Sequence, residues 1–187
     1  GSGKSTAAEL LVKKWKAERI YVGGIRRELA REKGMTLQEL NQYAVTHPET
    51  DVNVDKMAAA KARELEQKGA IVIVVGRTQF HFLPESVKIY IKVNPEEGAK
   101  RIWKDLQNKT IQEKRNEGSI TSFEAMKKRI YEREEEDAAR YKKYYNIDHR
   151  DESQYDLIID TTFITPEQAV EKIISFITSR KNLKGRS

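Results

Sequence analysis

The 187-residue chain has no cysteine, which excludes a disulfide framework and any thiolate metal site. No run of about 18 apolar residues occurs and no signal-peptide pattern opens the chain, so no membrane span is expected and the cytoplasm is the expected location. Its three histidines, His47, His81 and His149, show no metal-ligand spacing, and each reads as packing or surface. No internal repeat is present. The length fits one domain with room for a small inserted lid, so residues 1–187 are expected to form a single domain.

Charge, in contrast, is plentiful. Lys and Arg number 35 against 29 Asp and Glu, a formal net charge of +6. A positive balance suits a polyanionic partner, either nucleic acid or nucleotide phosphates. Most of these charges are interleaved with Glu along helices, as in RELAREKG and REEEDAARYKK, and read as solvated helix surface. Only basic residues placed by a motif carry a role.

Apolar patterning alternates between two types. Lys4–Ala17 reads as a helix with Ala7, Leu11 and Trp15 on one face, followed by a short β-rich run at Arg19–Val22. A helix over 24–33 ends at Gly34; Thr36 caps the next helix, with Glu39 completing a capping box. Pro48 breaks that helix, and Val54–Gln67 is helical again. Ala70–Val75 is a continuous β-branched run suited to a strand buried on both faces, and Ser86–Val93 is the next strand. Asn94-Pro95-Glu96-Glu97 opens a helix to about Gln107. Residues 108–121 lack any apolar period and read as a mobile loop. Ser122–Tyr145 is one long charged helix with a sparse stripe of Phe123, Met126 and Ile130. A last strand covers Tyr155–Asp160. The last helix starts at Thr165-Pro166, turns Val170, Ile173, Ile174 and Ile177 inward, and frays in the tail from Ser179 onward. This strand–helix alternation predicts an α/β fold: a parallel sheet covered by helices on both faces.

The chain begins GSGKST, the back half of a phosphate-binding loop. Gly1 and Gly3 let backbone N–H groups converge on phosphate oxygens, and the helix N-terminus behind them favours an anion. Lys4 reaches the β- and γ-phosphates as a point charge, and Ser5 offers its hydroxyl to Mg²⁺. The motif's first glycine and the strand that precedes it would lie upstream of Gly1. The expectation is therefore a longer parent protein, and a break in the sheet between the Ala70–Val75 and Ser86–Val93 strands, where the lost strand's ladder would run.

Further along, GGIRRE follows a strand, whose carboxyl end faces the ligand crevice of such sheets. Arg27 is placed to fork onto a phosphate and Arg26 is its solvated neighbour. Gly76-Arg77 ends the buried strand and again aims an arginine into the crevice. Arg101 lies in the helix after the fourth strand. Arg133, Asp137 and Arg140 are spaced one turn apart along the long helix; taken alone they read as salt-bridged helix charges.

With these motifs in place, the sequence resembles the nucleoside monophosphate kinases, most closely the archaeal-type cytidylate kinase family, along nearly its whole length. GSGKST is similar to the family's phosphate loop, GGIRRELAREKGMTLQELNQYA to its substrate-phosphate segment, VIVVGRTQF to its strand ending in Gly-Arg, NPEEGAKRI to its adenine-side helix, REEEDAARYKKYYNID to its lid, and YDLIIDTTFITPEQA to its last strand and helix. The resemblance implies a three-layer P-loop kinase fold with an acceptor-binding insertion at about 24–68 and a lid at about 108–145. It implies transfer of the γ-phosphoryl group of ATP, with Mg²⁺, to a nucleoside monophosphate, CMP or dCMP first, by a monomer that binds no nucleic acid. Gly1, Ser2, Gly3, Lys4, Ser5 and Thr6 would hold ATP, Ser5 its metal, and Arg101 would stack on adenine. Arg27 and Arg77 match the arginines that grip the acceptor phosphate, and Asp55 falls near the base-binding segment. Arg133 and Arg140 match lid arginines that close over the transferring group, with Asp137 orienting them.

Two departures stand out. The family usually has an acidic residue just before Gly-Arg, where this chain has Val75, and often Gly-Asp where it has Gly23-Gly24. Rival readings are a kinase for AMP, UMP or another small acceptor, a P-loop regulatory or nucleic-acid-binding protein, and an inactive fragment.

Overall fold

A computed structural model describes residues 1–108 and 120–184. Helix α1 (Lys4–Trp15) leads to strand β1 (Glu18–Tyr21), followed by α2 (Val22–Glu32), α3 (Leu37–Ala44) and α4 (Glu49–Gln67). Strand β2 (Val72–Val75), a short α5 (Gln79–Phe82), β3 (Ile89–Lys92) and α6 (Pro95–Leu106) come next. The remainder is the long α7 (Phe123–Tyr145), a 3₁₀ turn (Glu152–Gln154), β4 (Leu157–Asp160) and α8 (Pro166–Lys184). The predicted loop over 108–121 lies almost wholly outside the described residues. Helix α8 continues through Lys184, into the tail expected to fray.

Local chemistry explains most of the boundaries. Thr36 Oγ1 accepts the Glu39 amide at 3.2 Å while Glu39 Oε2 accepts the Thr36 amide at 2.6 Å, the predicted capping box. Asn94 Oδ1 caps α6 through the amides of Glu96 and Glu97, ahead of Pro95 at the first helical position. Ser122 caps α7 through the Ala125 amide at 3.1 Å. Helix α4 begins at Glu49, earlier than the expected Val54, because Pro48 serves as its N-cap rather than as a break before an irregular segment.

All strand pairs are parallel, as predicted. β1 pairs with β2, Glu18 opposite Val72, and β3 pairs with β4, Ile89 opposite Leu157. Among the described residues β2 and β3 are not paired with each other, so the sheet consists of two two-stranded halves divided where the break was expected. Helix α1 spans them. Ala7 and Leu11 share one apolar cluster with Ile91 of β3, Ile159 of β4 and Ala169, Val170 and Ile173 of α8, and Ile73 of β2 packs against the same cluster. A second cluster joins Ile20 and Val22 to the inner face of α4 at Val54, Ala58, Ala59 and Ala62. No helix among the described residues is long and apolar enough to cross a membrane.

Candidate active site

The opening residues form a tight turn into α1. Gly3 adopts φ 80°, the left-handed region that only glycine enters without strain. No side chain caps α1, so its first-turn amides remain directed at the crevice. The turn is fastened from behind: the Thr161 hydroxyl donates to the Ser2 carbonyl at 3.1 Å. Gly1 lies so close to α6 that a Cβ there would stand 2.2 Å from the Gly98 carbonyl oxygen. Lys4 Nζ donates to Ser2 Oγ at 3.0 Å. Burial, together with the positive charges of Arg77 and Arg133, lowers the Lys4 ammonium to about 8, only partly opposed by Glu134.

Facing this turn is a network of arginines and carboxylates. Arg77 follows Gly76, where a Cβ would stand 2.7 Å from Gln79 Cγ. Its Nη1 lies 2.7 Å from Glu134 Oε2 and 3.0 Å from Asp137 Oδ2. Arg140 pairs with Asp137 one turn away and, through Nε at 2.9 Å, with Asp51 of α4. Arg133 Nε stands 3.9 Å from Asp137 Oδ2. Burial alone would raise the Asp137 carboxyl, but Arg77, Arg133 and Arg140 together outweigh it and hold it below the usual range. Glu134, although half-buried, is brought down to about 2 by its hydrogen bond from His149 and by the charge of Arg77.

Lys4, Arg77, Arg133, Asp137 and Arg140, five positions singled out in the sequence, thus share one electrostatic environment. The other candidates stand around it. Arg27 Nη1 donates to the Tyr21 hydroxyl and the Gly23 carbonyl, each at 3.0 Å, and Tyr21 is in turn bonded to Ser5. Arg101 Nη2 donates to the carbonyls of Thr161 and Thr162 at 2.9 and 3.2 Å, which places its guanidinium beside the anchor of the opening turn. Asp55 is buried in α4, where burial pushes its carboxyl up against hydrogen bonds from Tyr145, Thr78 and Gln79.

One reading needs correction. Arg26, expected to be solvated, is buried in an ion pair with Asp51, and its Nη2 donates to Asn41 Oδ1 at 2.9 Å. Helix α2 starts at Val22 rather than Gly24, and the face carrying Val22, Arg26 and Ala30 is the one that turns inward. The sequence reading also missed Asp51 and Glu134. Asp51 sits one turn before Asp55 on α4 and would have been found had that helix been started at Pro48. Glu134 is one of six consecutive acidic or basic residues on α7, Glu132 to Asp137, and nothing local distinguishes it.

The residues present suit magnesium brought in on nucleotide phosphates rather than a preformed metal centre. Among the described residues no three His, Asp or Glu side chains converge as a metal site, and Val75 supplies no carboxylate at the end of β2. Ser5 at the start of α1 supplies one hydroxyl, and Mg²⁺ commonly retains waters and phosphate oxygens as its remaining ligands.

A glycine turn opening a helix, beside a parallel sheet and a crevice of arginines, defines a P-loop phosphotransferase, an enzyme that uses ATP. A family model described as "AAA domain" matches residues 1–152. The chain is 33% identical to the cytidylate kinase of Pyrobaculum neutrophilum over 98% of its own length and 91% of that protein's. It is 33% identical to that of Methanocaldococcus jannaschii, covering 98% and 94%, and 36% identical to that of Pyrococcus furiosus, covering 89% and 78%. It belongs to the cytidylate kinase family.

Proposed function

We propose that this protein transfers the γ-phosphoryl group of ATP, as its magnesium complex, to CMP or dCMP, giving ADP and the nucleoside diphosphate. The observation that carries this reading is the convergence of Lys4, Arg77, Arg133 and Arg140 on one crevice. A phosphoryl transfer needs little covalent chemistry from the protein; it needs the two phosphates aligned and their charge neutralised. An oxygen of the acceptor phosphate attacks the γ-phosphorus while the bond to the β–γ bridging oxygen breaks. Lys4 and the α1 amides take the charge on the donor side. Arg27 and Arg77 hold the acceptor phosphate. Arg133 and Arg140, oriented by Asp137, face the transferring group. Ser5 would hold Mg²⁺, which shields phosphate charge when bound.

In this reading residues 24–68 form the acceptor segment and 108–145 the lid. Their mutual contact supports it: the Tyr144 hydroxyl donates to the carbonyls of Ala44 and Val45 at 2.6 and 2.8 Å, and Lys143 Nζ to Val45 at 3.1 Å. Closing the two segments on each other excludes water from the γ-phosphate.

The test is a coupled ADP-release assay with MgATP over CMP, dCMP, UMP, AMP and GMP. CMP or dCMP should be turned over fastest; ADP release with none of them would overturn the proposal. Arg101 offers a check on the donor side. Arg101→Ala should raise the ATP KM about 3–10-fold, the scale of one lost cation–π contact, with kcat nearly unchanged. A change confined to the CMP KM would place Arg101 on the wrong substrate.

A further inference from the structure

Tyr21 ends β1 and stands at the N-cap position of α2, with backbone φ −113° and ψ 91°. It is half-buried, and its ring lies against the two glycines of that helix's first turn. A Cβ on Gly24 would stand 2.9 Å from Tyr21 Cδ1, and one on Gly23 would stand 3.1 Å from Cε2. Carbon atoms in good contact sit about 3.5–4.0 Å apart, so the ring occupies the room where side chains would begin. Two glycines weaken the start of a helix, and what they give in return here is a fixed seat for this ring.

The hydroxyl carried by that ring meets three elements. Arg27 Nη1 donates to it at 3.0 Å, with Arg27 Cζ 5.8 Å from the ring centroid. A guanidinium only donates, so the phenol oxygen is the acceptor in that bond. Ser5, in the first turn of α1, bonds to the same hydroxyl, and Arg133 of α7 bears on it through its charge. Burial alone would raise the phenol, but Arg27, Ser5 and Arg133 together outweigh it and bring it below its ordinary value. In the proposed reaction these three residues hold the donor's metal, the acceptor phosphate and the transferring group. Packing against the glycines needs only the ring; a phenylalanine would serve it.

We propose that Tyr21 is a positioning residue whose hydroxyl ties Ser5 to Arg27 and sets the spacing between the metal end of the donor and the hold on the acceptor phosphate. This rests on the proposed monophosphate kinase activity and adds to it a residue that acts through two others. In-line attack tolerates little error, since a displacement on the order of 1 Å costs about 10²-fold. Arginine has many rotamers to lose, and the Gly23 carbonyl, also 3.0 Å from Arg27 Nη1, fixes Arg27 only to its own helix. The Tyr21 bond fixes it to the end of β1 and, through Ser5, to α1. A phenol oxygen has two lone pairs and one hydrogen, enough to accept from Arg27 and to bond Ser5 in either sense. A serine oxygen that gives a lone pair to a cation still has its hydrogen to donate to Tyr21, so the tie survives metal binding.

The experiment compares the parent chain with Tyr21→Phe, Arg27→Met and the double variant. Tyr21→Phe keeps the ring on its glycines and removes only the hydroxyl. The readouts are kcat and KM for CMP at saturating MgATP, the Mg²⁺ concentration giving half-maximal rate, and CMP binding by calorimetry without ATP or metal. Tyr21→Phe should raise the CMP KM and the calorimetric Kd about 10-fold, the scale of one hydrogen bond to a charged group, and raise the Mg²⁺ requirement with them. In the Arg27→Met background the same substitution should lower kcat/KM for CMP by less than about 2-fold, because nothing is left to position. Full, independent losses in that cycle would separate the hydroxyl from Arg27 and overturn the inference. An unmoved Mg²⁺ requirement would break the tie to Ser5 and overturn it as well. So would a Tyr21→Phe variant that keeps the parent's CMP KM and Kd, with or without a lowered melting temperature. Each of these results, with a parent active on CMP, leaves the proposed function standing. A parent inactive with every monophosphate overturns that function and the role of Tyr21 with it.

Discussion

Replacing Lys4 by alanine is expected to lower kcat/KM for phosphoryl transfer by about 10²–10³-fold, the scale for removing one group aimed at transition-state charge, while the fold is kept. Among the described residues Lys4 donates to Ser2 Oγ, and its surroundings disfavour its charge. A lysine lowered from 10.5 to about 8 opposes folding while both states are protonated. That penalty is full below about pH 8 and fades as the pH rises toward the unfolded value of 10.5. Lys4→Ala should therefore melt at or above the parent temperature at pH 7, as followed by circular dichroism. In the parent enzyme, kcat/KM for ATP should fall above about pH 8 as the free enzyme's lysine loses its proton. The variant should lack that alkaline limb. Retained activity in Lys4→Ala would mean that the GSGKST turn does not hold the donor phosphates.

The second large effect belongs to Asp137. One carboxylate stands among three arginines, at 3.0 Å from Arg77 Nη1, 3.9 Å from Arg133 Nε and in contact with Arg140. Removing one partner from a buried ion pair costs about 3–5 kcal/mol, because the charges left behind have already lost their water. Asp137→Ala should accordingly lower the melting temperature by roughly 6–20 °C for a chain of this size, and turnover should fall with it as Arg133 and Arg140 lose their common anchor. Asp137→Asn separates the two effects: packing is kept, so more of the stability should survive than of kcat. Asp137 is held below its ordinary pKa, so its contribution is fully present above the unfolded value and is lost as the pH falls through the folded one. Acid unfolding of Asp137→Asn should begin from a lower plateau and show a shallower slope. An unchanged melting temperature in Asp137→Ala would dissolve the network as a stabilising unit.

Where local chemistry decides, the sequence was readable. The capping box at Thr36 and Glu39, the Asn94-Pro95 start of α6 and the turn into α1 each depend on neighbours within a few residues, and each stands where it was read. The β-branched run does form a strand, but only over Val72–Val75 rather than Ala70–Val75, and of its residues only Val75 is fully buried, not both faces as expected. The position of Arg77 was legible because a buried strand running into Gly-Arg leaves the side chain at the crevice end. The partners were not. Arg140 meets Asp51 89 positions away and Arg77 meets Glu134 57 positions away, distances over which no periodicity carries information. Helix α7 misleads for the same reason. Its charges look solvated in sequence, yet Arg129, Asp137 and Arg140 are buried: beside pairs within the helix, Arg77 and Asp51 reach Asp137 and Arg140 from other elements. Arg26 was misjudged by one helix register: a start two residues earlier turns it from solvent to core.

Helix α1 has a double duty. Its first turn carries Lys4 and Ser5, and its buried face at Ala7 and Leu11 shares one apolar cluster with Ile91 of β3 and Ile159 of β4, with Ile73 of β2 packed against it. A methyl group added or removed on that face lies well behind the opening turn, yet it would tilt the helix and move the Lys4 ammonium relative to Arg77. Side-chain volume in this core would then set the aim of the lysine as well as the stability of the chain.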